Sequence, residues 1–122
     1  MKANGELALI GRLPAPKQAP QNVLALCQNV GDAMRVAIIT NPRHMSQAQI
    51  ARDLGKSPSY LSEIINGTKP LPARLVTPFS YLTGTWIVRQ YIDLQEAMRD
   101  VAARNTRADR INRIVREMER AA

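Results

Sequence analysis

Two short helices joined by a tight turn are predicted between residues 46 and 66 of this 122-residue chain. Ser46, followed three residues later by Gln49, is a capping-box start for the first helix, which runs through Leu54. Gly55 closes that helix at a position where a positive φ is commonly needed, and glycine adopts such angles without steric cost. This arrangement is typical of a helix-turn-helix.

The second helix of the pair has its own start and stop signals. Ser57 caps it, and Pro58 takes the first helical position, where its missing N–H is harmless. The helix ends at Asn66-Gly67, and Ala51 is small where the two helices must cross closely. The inward positions of both helices are aliphatic: Ile50, Leu54, Leu61 and Ile64. The two segments are therefore predicted to pack as one unit.

The segment before this pair is predicted to be a single helix. Apolar residues recur at steps of three or four from Val23 to Ala37, which indicates one apolar helix face. Pro20 suits the entrance of this helix, and Asn41-Pro42 ends it. Cys27 lies on the apolar face and is expected to be a small buried hydrophobe rather than a reactive thiol.

Three further helices are predicted after the pair. A short or kinked helix spans residues 71–83, because Pro78 lies inside it. The next helix runs from about Trp86 to Ala103. A break at Asn105-Thr106 separates it from the last helix, because a continuous helix would place arginines on the apolar stripe that follows. No strand signal is present, so the predicted fold class is all-α: a helix-turn-helix bundle with additional C-terminal helices.

Three regions follow from these patterns. Residues 1–20 contain three prolines and are predicted to form a flexible or partly extended arm, ordered at most near Leu7–Ile10. Residues 21–84 form the helix-turn-helix domain. Residues 85–122 form C-terminal helices that either pack on their own domain or dimerise.

The charge balance favours a polyanionic partner. The chain has 17 Lys and Arg against 10 Asp and Glu, a net charge of +7, and nucleic acid is the first partner to consider for such an excess. No run of about 18 apolar residues exists, so no membrane span is expected. A single cysteine cannot form an internal disulfide, and the N-terminus lacks a signal-peptide pattern. We therefore expect a cytoplasmic protein.

The sequence contains no recognisable set of catalytic residues. It has no Gly-rich phosphate loop and no HExxH motif. His44 is the only histidine, so no second one can activate a serine, and no Cys, His or Asp cluster accompanies it to hold a metal. We expect a protein that is not an enzyme and that uses no metal and no cofactor.

The stretch MSQAQIARDLGKSPSYLSEIINGTK, residues 45–69, resembles the Cro/C1-type (lambda-repressor-like, XRE) helix-turn-helix family of phage and bacterial regulators. The matching positions are Ser46-Gln47, Ile50-Ala51, Leu54-Gly55, Ser62 and Asn66-Gly67. The likeness extends over residues 21–82 and implies a lambda-repressor-like bundle whose second helix enters the DNA major groove. Lys56 departs from the family, which usually has an apolar residue at that position.

The resemblance implies that the second helix reads bases from its N-terminal end. Small hydroxyl residues there let the backbone come close while they bond to base edges. Ser59 is expected to bond a base or a phosphate, and Glu63 to accept from a cytosine amino group, unless both are plain solvated positions. Pro58 can only touch a thymine methyl or shape the approach. The Tyr60 ring can pack on the scaffold while its hydroxyl reaches a phosphate.

A second set of residues is expected to contact the DNA backbone. Gln47 matches the family residue that touches a phosphate and braces the recognition helix. Asn66 and Lys69 match backbone-contacting or groove-edge positions. Further phosphate candidates are Arg43, His44, Arg52 and Lys56. Cations near the backbone add affinity and salt dependence rather than sequence choice.

The C-terminal segments carry an apolar stripe that needs a packing partner. It can fold onto its own domain or pair with another protomer, and dimers suit a fold that reads two half-sites. We expect homodimerisation through residues 86–120. The candidate dimerisation residues are Ile87, Tyr91, Leu94, Met98, Ile111, Ile114, Val115 and Met118.

These features predict a sequence-specific regulator that binds double-stranded DNA, a phage or prophage-type repressor on a symmetric operator at a bacterial nucleoid. Activation stays open, with RNA polymerase as the partner and an exposed Asp53 as one contact. One alternative is an antitoxin-like protein whose tail or arm binds a toxin-like partner. The other is a DNA-binding component of replication, transposition or packaging.

Overall fold

The computed structural model describes residues 13–121, so the stretch Leu7–Ile10 of the predicted arm lies outside them. Within the described residues the chain forms helices and no strand, which confirms the all-α fold class. The helices are α1 (Gln21–Leu26), α2 (Val30–Thr40), α3 (Gln47–Asp53), α4 (Pro58–Ile65), α5 (Ala73–Thr83) and α6 (Ile87–Ala121).

These helices belong to two compact units, which divide between Ile92 and Asp93. The first unit holds α1 to α5 and the beginning of α6, and the second holds the rest of α6. The division falls inside the predicted C-terminal region because the first turns of α6 bury Ile87, Val88 and Tyr91 in the core of the first unit.

The core of the first unit lies where α3 packs against α4, and where α2 packs against α4 and α5. The largest fully buried side chains there include Met34 and Phe79. The four predicted inward positions, Ile50, Leu54, Leu61 and Ile64, are all buried, so this prediction is confirmed. Burying one such side chain stabilises the fold by about 1.5–3 kcal/mol relative to leaving it exposed.

The single helix predicted from Val23 to Ala37 is wrong, because the chain forms two helices there. Asn29 caps α2 by accepting a hydrogen bond from the Asp32 N–H (2.9 Å). The Asp32 carboxylate in turn accepts from the Gln28 N–H (2.9 Å). This reciprocal pair satisfies backbone donors as a capping box does, and it ends α1 although the apolar spacing continues across the break.

Gly31 lies in the first turn of α2, directly against the end of α4. A Cβ atom at this position would overlap the carbonyl oxygen of Ile65. The missing side chain therefore allows α2 and α4 to approach closely, and it fixes where the last turn of α4 can lie.

The turn between α3 and α4 has the predicted caps. The Ser46 hydroxyl accepts from the Gln49 N–H (3.1 Å), and the Ser57 hydroxyl accepts from the Tyr60 N–H (3.1 Å). Gly55 has a φ of +75°, the left-handed conformation expected at that turn. The sequence signals for both helix starts and for the turn are confirmed.

The helix predicted around Pro78 is α5, which is 11 residues long and continues across that proline. Pro78 removes the N–H that would have bonded the carbonyl of Arg74. The helix persists because one face is buried in the core, where Leu75, Val76 and Phe79 lie.

Residues 17–19 of the predicted arm are extended and bonded to the first unit, whereas order was expected at most near Leu7–Ile10. The Lys17 N–H donates to the Gly84 carbonyl (3.0 Å), and the Lys17 carbonyl accepts from the Trp86 N–H (2.9 Å). The Gln90 side chain bonds both the N–H and the carbonyl of Ala19, at 2.7 and 3.0 Å. This part of the arm is an extended segment held along the beginning of α6.

The break predicted at Asn105-Thr106 is also wrong, because α6 is one continuous helix. The Thr106 hydroxyl donates to the Ala102 carbonyl (2.9 Å), so it is satisfied inside the helix instead of capping a new one. Side chains from Glu96 to Ala121 are exposed, so arginines on the apolar stripe carry no burial penalty. Although α6 has 35 residues, neither it nor any other described helix is apolar enough to cross a membrane.

Candidate nucleic-acid interface

The beginning of α4 is an exposed and polar helix end. Ser57, Pro58 and Ser59 face solvent, whereas Leu61 and Ile64 of the same helix are buried. The Ser57 hydroxyl is engaged as the cap, and the Ser59 hydroxyl lies on the open surface. Small side chains let another surface approach the backbone, and a serine hydroxyl can both donate and accept hydrogen bonds. This turn can therefore contact the base edges in a groove.

Tyr60 is half-buried and has two ammonium groups near its ring. The Lys56 Nζ atom lies 5.2 Å from the ring centroid, and the Lys69 Nζ atom lies 5.4 Å from it. Both distances suit a cation–π contact. The ring thus places two positive charges beside α4, one of them at the position where Lys56 departs from the family pattern.

Glu63 is half-buried and forms an ion pair with Lys69. The Lys69 Nζ atom lies 2.8 Å from Glu63 Oε2. The hydrogen bond to Glu63, together with the charge of that carboxylate, raises the pKa of Lys69 above its ordinary value. The ion pair thus stabilises the charged form of Lys69.

Gln47 connects the two helices of the pair. Its Nε2 atom donates to the Ser62 hydroxyl at 2.9 Å, and both side chains are half-buried. This bond fixes the rotation of α4 relative to the N-terminus of α3. Gln47 therefore braces α4, whereas the phosphate contact that the resemblance implies for it stays a prediction.

Arg35 is a residue of this surface that the sequence reasoning missed. Its guanidinium donates to the Asn66 side-chain oxygen at 2.9 Å and lies 3.8 Å from the Asp32 carboxylate. Asn66 and Arg35 are both exposed. No local sequence pattern indicates this contact, because Arg35 lies on α2, 31 positions before Asn66. The two are neighbours because α2 and α4 pack together.

Arg43 and His44 occupy the loop between α2 and α3. Arg43 donates to the backbone carbonyl of Leu82 at 2.9 Å, so its guanidinium is partly committed to the end of α5. His44 is exposed, and its φ of +53° lies in the left-handed region. A non-glycine residue seldom adopts this conformation, so the loop backbone holds His44 in a defined, outward position.

Arg52 and Asp53 lie at the end of α3 and both contact Gln49. The Gln49 amide donates to the Asp53 carboxylate at 2.9 Å, and Arg52 approaches the Gln49 oxygen at 3.4 Å. Arg52 is exposed, but Asp53 is half-buried. Asp53 is thus less exposed than expected, and its contact with polymerase stays a prediction.

The candidate dimerisation residues fall into two groups. Ile87 and Tyr91 are buried in the first unit, with 1% and 7% of their surfaces exposed, so their assignment to a dimer surface is wrong. They carry helical apolar spacing because they serve the core. Leu94 is half-buried, and the remaining candidates are exposed on the second unit: Met98, Ile111, Ile114, Val115 and Met118.

No metal-binding cluster of His, Cys, Asp and Glu occurs among residues 13–121. Cys27 is half-buried, and its thiol lies 3.6 Å from the Val23 carbonyl. Burial, and then the negative charge of Asp32, raise the pKa of this thiol. Because the thiolate is the reactive form, this shift makes Cys27 less reactive at neutral pH.

Comparison with known protein families gives a match to the helix-turn-helix pair. Residues 39–77 match the family described as "Helix-turn-helix", a range that covers α3, the turn and α4 with short flanks. A search of the curated proteins found no match for this chain, and neither did a search of the solved structures.

Proposed function

We propose that this chain reads a specific operator with the beginning of α4. The premise is that it carries a Cro/C1-type helix-turn-helix domain at residues 39–77 and is a DNA-binding transcription regulator of that type. The observation that carries the proposal is the exposed first turn of α4, held in place by the hydrogen bond between Gln47 and Ser62 (2.9 Å). Rigid support of this kind is what a base-reading surface needs.

Within this surface we assign base reading to Ser59 and Glu63. Ser59 presents a hydroxyl in the first turn, and Glu63 lies one turn further along the same face of the helix. A carboxylate only accepts hydrogen bonds, which suits a cytosine amino group. Pro58 and Tyr60 then determine how closely the helix end enters the groove.

Phosphate contacts are assigned to the cations and amides around this turn. Lys56 and Lys69 flank Tyr60, and both ammonium groups can turn from the ring to a phosphate. Gln47 and Asn66 lie at the two ends of the helix pair, where they can donate to the backbone of the duplex. Arg52 and His44 stay as outer contacts, whereas Arg43 contributes less because it bonds the Leu82 carbonyl.

The proposed role in the cell is repression of a phage or prophage type. Two copies of the chain would occupy a two-fold symmetric operator that overlaps a promoter, in the cytoplasm of a bacterial host. Half-sites spaced by about one helical turn, about 10 base pairs, are the geometry that paired recognition helices read.

Selection of binding sites from a random duplex pool tests this function. The pool is bound at roughly physiological salt, where phosphate-only binding is weakened, and the survivors are sequenced. We expect enrichment of a symmetric consensus, and the double variant Ser59→Ala with Glu63→Gln should enrich it poorly. A matched control is Ser46→Thr, which retains a capping hydroxyl outside the reading face. Failure to enrich any sequence would contradict the proposal.

The antitoxin-like alternative is favoured by one observation, the row of exposed apolar side chains on the second unit. A toxin-like protein that covered this row would co-purify with the chain in equal amounts. Operator selection would succeed under this alternative too, so the composition of the purified complex separates the two.

A further inference from the structure

We propose that residues 94–118 of α6 pair with a second copy of the chain as a parallel, in-register, two-stranded coiled coil, in which Asn105 lies against the partner's Asn105. This inference rests on the dimeric form of the proposed function and adds its orientation, register and specificity-determining residues. The observations that support it all come from the second unit.

The apolar spacing of the first half of this segment is a heptad. The spacing between apolar residues is four, three and seven for Leu94, Met98, Val101 and Ala108. In a heptad labelled a to g, Met98 is at an a position and the other three are at d positions. Met98 and Val101 expose 56% and 46% of their surfaces. The row of a and d side chains, called the seam below, is therefore uncovered in a single chain. A stripe with this 3.5-residue period is what a left-handed two-stranded coiled coil buries.

Asn105 fills the a position that this register leaves between Val101 and Ala108. A single polar residue at an a position is a known device that specifies register and two-strand pairing at a cost in stability. In a parallel, in-register pair the two Asn105 amides face each other, and one can donate to the other. In an antiparallel pair, a positions face d positions, so each amide would lie against an apolar side chain.

The charges that flank this seam agree with a parallel pair. Arg104 takes the g position and Asp109 the following e position, and a g residue meets the next e residue of the partner in parallel coiled coils. Each Arg104 therefore faces the partner's Asp109, and this contact occurs twice. The preceding g and e positions hold Ala97 and Ala102, so no like charges meet there.

Beyond Ala108 the heptad register shifts by one residue, and the apolar seam then continues in the new register. Ile111 follows Ala108 after three residues instead of four, and Val115 and Met118 resume the four-then-three spacing. Such a three-residue step is a stammer, which locally overwinds a coiled coil without ending it. Ile114 lies beside the shifted seam and widens its apolar surface.

Cysteine cross-linking of the full-length chain tests the orientation. In a Cys27→Ser background, Val101→Cys and Ala108→Cys each introduce a thiol at a d position. Parallel, in-register pairing brings each of these thiols within disulfide distance of its own copy, so both variants should oxidise to covalent dimers. Ala103→Cys, on the outer f position, is the matched control and should stay uncross-linked.

The alternative arrangements give different products. Residues 101 and 108 lie about 10 Å apart along the helix axis, so an antiparallel pair can place at most one of them opposite itself. Cross-linking of only one variant, or a disulfide that forms only between the two variants when mixed, would overturn the proposal. A chain that stays monomeric, as expected if a toxin-like protein covers the stripe, would overturn it as well.

A double-mutant cycle on Arg104 and Asp109 tests the register. Residues five apart do not meet on one helix, so any coupling between them arises across the interface. We expect Arg104→Glu and Asp109→Arg each to raise the dimer Kd by about threefold to tenfold, and the double variant to recover most of the loss. If the two substitutions instead weaken dimerisation additively, Arg104 and Asp109 do not meet across the interface, and the proposed register is wrong.

These measurements are made without DNA, so they succeed or fail independently of operator reading. Cross-linked dimers that enrich no DNA sequence would uphold the coiled coil and reject the proposed function. A monomer that still enriches one unsymmetrical site would reject the coiled coil and keep DNA reading.

Discussion

The two units of this chain differ in what fixes their helices. In the unit that ends at Ile92, every helix buries at least one side chain, and caps or tight turns mark the helix ends. In the unit that begins at Asp93, the helix runs to Ala121 with no buried residue. Where helices pack against a core, that packing decides which capping and turn residues end a helix. Where packing is absent, a helix continues through signals that would stop it elsewhere.

The largest expected effect is on the core of the first unit. Phe79→Ala should lower its free energy of unfolding by about 3–5 kcal/mol, because the ring is 1% exposed and its removal leaves a cavity. Urea denaturation followed by circular dichroism measures this loss. Ile39→Ala is the control in the same unit, since Ile39 is 81% exposed, and it should change stability by less than about 0.5 kcal/mol.

The same truncation on the second unit sharpens the contrast. Ile114→Ala removes a side chain that is 53% exposed, so the unfolding transition of the first unit should not move. A shift comparable to that of Phe79→Ala would mean that α6 beyond Asp93 is part of the core, and the division into two units would be wrong.

A smaller effect separates two residues that look alike in sequence. Ser57 is the cap of α4, and Thr106, with Asp109 three residues later, also has a capping pattern in sequence. Only the Ser57 hydroxyl bonds a free N–H at a helix start. Ser57→Ala should cost about 1 kcal/mol of stability. Thr106→Ala should preserve or raise the helix content, because alanine is the better helix former. A loss of helix in Thr106→Ala would restore the break at that position.

The bond between Gln47 and Ser62 should contribute about 0.5–1.5 kcal/mol. A double-mutant cycle with Gln47→Ala and Ser62→Ala isolates this coupling. The Gln47 variant should also bind the operator less tightly, because α4 loses its brace. Gln28→Ala, at an exposed position outside the helix pair, serves as the control. Zero coupling would mean that the bond does not position α4.

The smallest effect concerns the salt dependence of DNA binding. Lys69→Ala should reduce the slope of log K against log salt concentration by about 1 for each protomer, because one phosphate contact is lost. Arg110→Ala changes a cation on the exposed tail and should not change the slope. Equal changes in both variants would show that the tail also contacts the duplex.

The sequence predicted the parts of the fold that depend on local chemistry. Short-range sequence patterns predicted the caps at Ser46 and Ser57, the turn at Gly55 and the four inward aliphatic side chains. The structure contains all of them. The family resemblance added the position of Gln47, whose partner Ser62 lies 15 residues away.

The errors have a common physical origin in competition between signals. The apolar spacing from Val23 to Ala37 continues in phase across the cap at Asn29, so periodicity alone could not reveal the break. Ile87 and Tyr91 have the same spacing as the exposed stripe, and only tertiary packing assigns them to the core. Lys17 bonds Gly84 and Trp86, and Ala19 bonds Gln90. These bonds join residues distant in sequence, which composition does not encode.

The central claim is that α4 reads bases, and base preference in a Glu63→Gln variant tests it most directly. The relative affinity for every single base substitution in the selected operator would be measured for wild type and variant at one salt concentration. We predict a change at one base pair of each half-site, by about 1–3 kcal/mol, with the other positions unchanged. Uniform weakening at all positions would contradict the claim, because it would mean that Glu63 affects affinity without reading sequence.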